Sequence, residues 1–311
     1  MIPFIHIPDF HLGPVPLHPF GILVATGVMT GTAITTRRAR TLGYDLVKLN
    51  SFVTWMLVTA FVLSHMLDQV FYHFAELKKE PWLLFMLWTG LSSFGGFVGA
   101  FTGIVLWKYY EIADGRPRKR STPQPILPFA DLVLSVFPIG WMFGRAGCAS
   151  VHDHLGASAA PGTWIAVEAP TGARDEVTNH IGFIELTHGH HLRFDLGLLE
   201  LMFTIILAAA FALTWRRRLP VGTYVVASAL AYAPVRFAMD FLRIPENEGG
   251  DTRYWGLTPA QYGCFLLFGY GIYMIFYVRR HKDIDVTAHL VADGPYRSPT
   301  EHDPAAAKLT D

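Results

Sequence analysis

Two arginines within apolar segments are the residues of this sequence whose type and position best suit chemistry. Arg145 lies near the end of an apolar run over residues 126–147, and Arg236 lies in a second run over residues 224–242. A charged side chain at membrane depth is costly, and it usually marks a substrate path or a counter-ion pair. The planar guanidinium group suits the oxygens of a phosphate. The two arginines therefore predict a binding site for an anionic ligand that resides in a bilayer.

The residues around each arginine extend this prediction. Gly144 and Gly147 flank the first one, and their small size would let the backbone and its N–H groups approach an anion. Asp240 follows Arg236 by four positions, so the two side chains share a helix face and are expected to form an ion pair. Arg243 lies near the same face, and we assign all six residues, including Arg145 and Arg236, to the predicted anion site.

Glu200 lies near the start of another apolar segment, where a carboxylate needs a cationic partner. Either Arg145 or Arg236 could be that partner. The structural alternatives are a buried pair between Arg145 and Asp131 and a boundary position for Arg243, whose long side chain could reach water. The sequence leaves the ligand-binding and the structural interpretations open.

His152, Asp153 and His154 are the residues with acid–base capacity near neutral pH. With His65 and Asp68 from an earlier segment, the two histidines could also hold zinc if the side chains converged. The sequence contains no established spacing of metal ligands. We therefore predict neither a metal nor a cofactor, and ordinary loop polarity is the remaining interpretation of the histidine group.

The elements that must position these residues are long apolar segments. The chain has 311 residues, of which 51% are hydrophobic and 16% are charged, and two cysteines that give no disulfide framework. Several segments approach the roughly 20 residues that cross a bilayer as a helix. The composition predicts an all-α polytopic membrane protein with seven transmembrane helices, over residues 17–36, 51–73, 92–110, 126–147, 196–215, 221–242 and 259–278.

The basic residues predict how these helices are oriented. Every odd-numbered segment is followed by a basic cluster, which places all four clusters on one side of the membrane. That side is the cytoplasm by the positive-inside rule, so the N-terminus lies outside and the C-terminus inside. The clusters comprise Arg37, Arg38 and Arg40; Lys108, Arg116, Arg118, Lys119 and Arg120; Arg216, Arg217 and Arg218; and Arg279, Arg280 and Lys282.

The same pattern divides the chain into five parts. The longest loop is rich in histidine and glycine and has short strand-like pieces, so we expect a small periplasmic head domain with some β-structure. The predicted parts are an outer N-terminal arm (1–16), spans one to four with an interfacial arm near 76–91 (17–147), the head (148–195), spans five to seven (196–282) and a disordered cytoplasmic tail (283–311).

Four motifs, taken in order, resemble the prolipoprotein diacylglyceryl transferase family. Residues 17–21 resemble its Leu-His-x-x-Gly motif, and residues 88–96 its Trp-x-Gly-Gly-x-Ser-Phe-His-Gly-Gly segment. Residues 144–156 are similar to its signature Gly-Arg-x-Gly-Asn-Phe-x-Asn-x-Glu-x-x-Gly. Residues 236–243 match its Arg-x-x-x-Glu-x-x-Arg motif with aspartate in place of glutamate. The resemblance covers about residues 10–280.

The chain also departs from the family pattern. Phe94 stands at the histidine before Gly-Gly, Cys148 at the signature asparagine and Asp153 at the signature glutamate. His65 stands where an arginine is expected in the second span. Further histidines are added near the signature, so the resemblance is to a divergent member with a rebuilt site.

The resemblance implies a transferase of the bacterial inner (plasma) membrane that acts in lipoprotein biosynthesis. Its partners would be phosphatidylglycerol and the signal peptide of a prolipoprotein, with no nucleic acid. The lipobox cysteine thiol attacks the glyceryl carbon, a thioether forms and glycerol phosphate leaves. The thiolate is the reactive form, so we assign its deprotonation to His152 or His154, oriented by Asp153.

The predicted phospholipid site also includes His18 and His65, which the resemblance places at family motif positions, and Glu200, which is included for its need of a cationic partner. The alternative function is a divergent non-transferase of the same fold. It would be a lipid-binding accessory protein, or a phospholipid hydrolase that uses a metal held by histidine and aspartate.

Overall fold

The computed structural model describes residues 1–12, 15–86, 90–173, 176–215, 217 and 219–280. The predictions made for Trp88, Arg216, Arg218 and Lys282 and for the tail 283–311 lie outside these residues. Two compact units make up the described chain. The first contains residues 1–35 and 131–280, and the second contains residues 36–130.

Helices dominate both units. They are α1 (Pro19–Leu42), α2 (Leu46–Tyr72), α3 (Phe74–Lys79), α4 (Ser93–Tyr109), α5 (Ile126–Leu134), α6 (Phe137–Val151), α7 (Leu196–Leu213), α8 (Thr223–Met239) and α9 (Pro259–Arg280). Three short 3-10 helices cover Pro81–Phe85, Asp240–Leu242 and Glu246–Glu248. In the described chain, five helices are long and apolar enough to cross a membrane, or six if α5 and α6 form one broken span.

The break between α5 and α6 bends that span by 52°. Pro138 lies in the first turn of α6. A proline is tolerated there because the first N–H groups of a helix have no partner within it, whereas in the middle of a continuous helix it would remove a hydrogen bond. The proline therefore favours a new helix start, and that new helix carries Arg145.

Helix α4 corresponds to the third predicted span. Its 17 residues give a length of about 26 Å at 1.5 Å per residue, which is slightly less than the roughly 30 Å of bilayer hydrocarbon. Its glycines lie directly against α2. A Cβ added to Gly95 would come 2.7 Å from the Leu63 carbonyl oxygen, and one added to Gly99 would come 2.7 Å from the Ala60 Cα. These glycines therefore permit close approach of α2 and α4.

The head segment contributes most of a six-stranded sheet. Its strands are β1 (Ile2–His6), β6 (Leu155–Ser158), β7 (Ala166–Ala169), β8 (Val177–Ile181), β9 (Ile184–His188) and β10 (His191–Asp195), in the order β6-β10-β7-β1-β9-β8. Two hairpins lie elsewhere, formed by β2 (Phe10–Leu12) with β3 (Val15–Leu17) and by β4 (Tyr110–Ala113) with β5 (Arg116–Lys119). The expectation of β-structure in the head segment is confirmed. The sheet has six strands, which is more β-structure than the predicted all-α fold class implied.

The N-terminal strand β1 is the unpredicted member of this sheet. It runs parallel to β7, where Ile2 pairs with Val167, and antiparallel to β9, where Phe4 pairs with Thr187. The first residues therefore do not form a separate arm. They complete the middle of a sheet whose other strands come from residues 155–195.

Candidate functional site

Arg145 lies on α6 and is nearly buried, with 10% of its side chain exposed. Its Nε is 3.0 Å from the Glu200 Oε1 on α7, although the N–H does not point along this approach. The guanidinium carbon lies 4.6 Å from the centre of the Trp141 ring, and Nη1 lies 3.8 Å from the Cys148 Sγ. The predicted pairing of Glu200 with an arginine is confirmed, and that arginine is Arg145.

Glu200 joins three helices. Its Oε1 accepts a hydrogen bond of 2.8 Å from the Tyr232 hydroxyl on α8 and one of 3.4 Å from the Trp141 Nε1 on α6. The side chain is buried, so these donors and the guanidinium offset the cost of removing a carboxylate from water. Because a carboxylate repels phosphate, the contacts of Glu200 suit a residue that holds Arg145 in place.

Asp131 has a different role from the one weighed as a structural alternative. Its Oδ1 accepts hydrogen bonds from the backbone N–H groups of Tyr224 and Val225, at 2.7 and 3.0 Å. Those groups are at the N-terminus of α8, where backbone donors have no partner within the helix. Asp131 therefore caps the helix that carries Arg236.

Arg236 and Arg243 share one carboxylate. The Arg236 Nη1 is 2.9 Å from the Asp240 Oδ1, which confirms the predicted ion pair, and the Arg243 Nη1 is 3.7 Å from the same oxygen. The Thr258 hydroxyl donates to the other oxygen of Asp240, whose side chain is 1% exposed. Arg243 also pairs with Asp251 at 3.0 Å. Asp240 is therefore the buried anchor of two guanidinium groups.

Tyr232 connects the two arginine groups and was not among the residues predicted from the sequence. It lies one helical turn before Arg236 on α8 and interacts electrostatically with both Arg236 and Arg145. Its four-residue spacing from Arg236 was the signal available in the sequence. The exposed fraction of the side chain rises from 10% at Arg145 to 20% at Arg236 and 30% at Arg243. Arg243 is therefore the most accessible of the three arginine side chains, and Arg145 is the least accessible.

His152 is held on both sides of its ring. The Nδ1 is 2.5 Å from the Asp195 Oδ2, the Nε2 is 2.8 Å from the Ile5 carbonyl oxygen, and the ring stacks on Phe4 with 3.6 Å between centroids. Both partners can accept a hydrogen bond, so both ring nitrogens are engaged within the protein. His152 thus links the end of α6 to β1 and to Asp195, which caps α7 through the Leu198 N–H at 3.0 Å.

His154 differs from His152 in exposure and in its partners. Its Nδ1 is hydrogen-bonded to the Asp153 carboxylate, and both side chains are more than one-third exposed. One ligand atom from each of Asp153, His154 and Cys148 lies within 4.8 Å of the others. The hydrogen bond to Asp153, assisted by one to Cys148, raises the pKa of His154 to about 9 against the opposing effect of burial.

The two glycines beside Arg145 have surroundings that differ from each other. A Cβ on Gly147 would come 2.9 Å from the Phe20 side chain at the start of α1, whereas a Cβ on Gly144 would meet no atom within 4 Å. Both residues lie inside α6, where backbone N–H groups donate to helix carbonyls. Gly147 therefore allows close packing of α6 on α1, and neither amide is directed at an anion.

The remaining histidines assigned to the phospholipid site have local partners. The His18 Nδ1 is 2.9 Å from the Asp9 carboxylate, and its side chain is 63% exposed. In the second unit, the ring nitrogens of His65 face the carbonyl oxygens of Gly90 and Leu83 at 3.1 and 3.0 Å. His65 is fully buried, so both of its nitrogens are engaged in holding the segment between α2 and α4.

The comparisons with known proteins agree in family across most of the chain. The family model described as prolipoprotein diacylglyceryl transferase matches residues 9–277. A phosphatidylglycerol–prolipoprotein diacylglyceryl transferase of Nitratidesulfovibrio vulgaris (strain DSM 19637 / Miyazaki F) is 26% identical over 269 residues, which is 85% of this chain and 90% of that protein.

Two further relatives carry the same name. The protein of Pseudomonas entomophila (strain L48) is 25% identical over 87% of this chain and 93% of its own length. The protein of Acinetobacter baumannii (strain ATCC 17978) is 25% identical over 88% of this chain and 93% of its own length. The chain belongs to the prolipoprotein diacylglyceryl transferase family.

Proposed function

We propose that this chain transfers the diacylglyceryl group of phosphatidylglycerol to the lipobox cysteine thiol of a prolipoprotein. The observation that carries the proposal is the set of guanidinium groups at Arg145, Arg236 and Arg243, which are anchored by buried carboxylates. Cys148 lies between Arg145 and the Asp153–His154 pair. The matched relatives, which align over most of their length, are named for this activity. The alternative of a non-transferase role has less support, because both of these relatives are named as transferases.

The guanidinium groups would bind the phosphate of the lipid. Glu200 and Asp240 are two buried negative charges against three arginines, and the third counter-ion, Asp251, is half exposed. A lipid phosphate can therefore replace Asp251 at low cost, because water solvates the released carboxylate. The guanidiniums then neutralise the charge that grows on the phosphate as its ester bond breaks.

Proton transfer would take place at His154. Both ring nitrogens of His152 are occupied by partners within the protein, and its side chain is 5% exposed, so it does not face a substrate thiol. His154 is accessible, and the Asp153 carboxylate orients its ring. The lipobox thiol gives its proton to His154, and the thiolate sulfur attacks the glyceryl carbon. The carbon–oxygen bond to phosphate breaks, and glycerol phosphate leaves with the electron pair.

One side chain separates the two parts of this site. The Cys148 Sγ is 3.8 Å from the Arg145 Nη1, and it is also within 4.8 Å of ligand atoms of Asp153 and His154. A substrate thiol at His154 would therefore lie close to the guanidinium that binds the phosphate. Reaction by direct displacement needs this proximity of nucleophile and leaving group.

For the membrane arrangement, we propose seven spans with the N-terminus and the sheet on the periplasmic side of the inner membrane. The pairing of β1 with β7 and β9 supports this, because it requires an even number of crossings between residues 6 and 166. Helices α1 and α2 and the bent pair α5–α6 supply three crossings. Helix α4 would supply the fourth, and a bilayer can thin slightly around a short span.

The test is transfer in vitro from phosphatidylglycerol to a lipobox peptide by purified protein. Arg145→Ala and Arg236→Ala are expected to lower the rate at least about 100-fold, as loss of one charge-stabilising donor typically does. Arg118→Ala is the matched control, since that arginine is 62% exposed in a hairpin pair with Asp114. Wild-type rates in both site variants would refute the proposal.

A second assay tests function in the cell. The chain is expected to restore growth to a bacterium depleted of its own diacylglyceryl transferase, and the Arg145→Ala variant is expected to fail at equal protein level. Complementation by both proteins would show that growth does not depend on the proposed phosphate contact.

A further inference from the structure

We propose that Cys148, Asp153 and His154 form a binding site for a divalent ion of the zinc class. The three residues offer a thiol sulfur, a carboxylate oxygen and an imidazole nitrogen, and these atoms all lie within 4.8 Å of one another. Around a tetrahedral zinc ion the ligand atoms are about 3.5 Å apart, given metal–ligand distances of roughly 2.0–2.3 Å. The separations in the cluster, all within 4.8 Å, are therefore close to those that a bound ion would impose.

The end of α6 creates the cluster. The helix ends at Val151, and His152 adopts a left-handed conformation with φ of 49°. This residue reverses the chain, so that Asp153 and His154 come back towards Cys148 in the last turn. The contacts of His152 with Asp195 and with the Ile5 carbonyl oxygen hold the reversal in place. The three donors are thus brought together before any ion arrives.

The donor set selects the class of ion. Thiolate sulfur and imidazole nitrogen favour zinc over magnesium or calcium, which prefer oxygen ligands. Three protein ligands leave a fourth position for water, and Cys148 is buried whereas Asp153 and His154 are accessible. An ion can therefore enter from the accessible side and keep one water ligand.

The charges near the cluster also suit a divalent cation. A thiolate and a carboxylate supply two negative charges, which match the two positive charges of zinc. Arg145 lies 3.8 Å from the Cys148 Sγ, and its charge is offset by Glu200 at 3.0 Å.

Occupancy by zinc would regulate the proposed transfer, and this consequence rests on the function proposed above. The ion would take the imidazole nitrogen electrons that otherwise accept the thiol proton. It would also occupy the space that the substrate sulfur needs beside Arg145. Zinc is therefore an inhibitor of transfer in this protein.

Binding is tested with the full chain in detergent, using cobalt(II) as a spectroscopic substitute for zinc. The wild type is expected to bind one ion with a thiolate-to-cobalt band in the near ultraviolet, and zinc should displace it. Cys148→Ser should abolish the band, and His154→Ala should weaken binding at least about 100-fold, since even indirect partners of a metal contribute 10–100-fold.

Two variants are matched controls for the binding test. Cys264→Ser removes the other buried cysteine, and His188→Ala removes a half-exposed histidine that pairs with Glu168. Both should bind cobalt as the wild type does. Absence of the band in the wild type would overturn the proposal, and so would an unchanged band in Cys148→Ser.

The regulatory consequence has a separate test. Transfer by chelator-treated wild type is expected to fall at least tenfold when zinc saturates the site, whereas the ratio of rates with and without zinc should stay near one in Cys148→Ser. An equal loss in both proteins would overturn inhibition through this site. A wild type that binds cobalt but shows no transfer without zinc would instead refute the proposed function and leave the metal site intact.

Discussion

Replacing His152 by alanine is expected to destabilise the protein rather than to stop the chemistry alone. The side chain of His152 is 5% exposed, and that of its partner Asp195 is fully buried. Removal of the imidazole leaves the Asp195 carboxylate in the interior with the Leu198 N–H as its remaining hydrogen-bond donor in the described chain. Breaking a buried ion pair in this way costs about 3–5 kcal/mol.

The measurement is the free energy of unfolding by denaturant in detergent micelles, together with hydrogen exchange of residues 2–6. His152→Ala also frees the Ile5 carbonyl oxygen, so the β1 amides should exchange faster than those of β10. His188→Ala is the matched control, because that histidine is half exposed and ion pairs open to solvent contribute about 0–1 kcal/mol.

A double-mutant cycle separates the pair from its surroundings. Asp195→Ala alone should cost its own cap on α7, about 1 kcal/mol, in addition to leaving His152 unpaired. The double variant should cost clearly less than the sum of the two single variants, because no charge is then left buried alone. Additive costs, or a His152→Ala variant as stable as wild type, would contradict the assignment of His152 to structure.

Three further outcomes are expected. In chelator-treated protein, the rate of transfer should rise as the pH is raised towards about 9. The reason is that the Asp153 contact raises the pKa of His154 to about 9, and only the neutral ring accepts the thiol proton. A rate that falls over this range would mean that the protonated ring acts as an acid. Tyr232→Phe removes the hydroxyl that is hydrogen-bonded to Glu200 and should cost about 1 kcal/mol of stability. Transfer should be several-fold slower, with the protein yield unchanged. An unaltered rate would remove Tyr232 from the site. Gly95→Ala places a methyl group 2.7 Å from the Leu63 carbonyl oxygen. It should destabilise the α2–α4 pair by about 1–3 kcal/mol, measured by thermal unfolding. Gly144→Ala is the control and should leave the stability unchanged, because its methyl group would meet no atom within 4 Å.

The parts of the site that were predictable from sequence depend on local spacing. Arg236 and Asp240 are one helical turn apart, so their ion pair followed from helix geometry alone. The need of Glu200 for a cation followed from its apolar surroundings. Which arginine would meet it could not be decided, because α6 and α7 are joined by a long loop and their contact is not local.

The division of labour between His152 and His154 could not be predicted. The two residues are of the same type and two positions apart. Their environments differ because His152 reverses the chain and turns inward to Asp195, while His154 faces outward. Neither the left-handed conformation of His152 nor its contact with β1 can be predicted from the periodicity of apolar residues in the sequence. The Cys148 cluster was missed for the same reason, since the turn lies between its members.

The central position of β1 sets an order of events during biogenesis. This strand is synthesised before its hydrogen-bonding neighbours, because β7 and β9 are residues 166–169 and 184–188. The N-terminal residues must therefore wait unpaired until most of the chain has been inserted, and contacts of such long sequence separation form slowly. Trimming the first six residues would divide the sheet into a three-stranded piece and a two-stranded piece, each with a newly exposed edge.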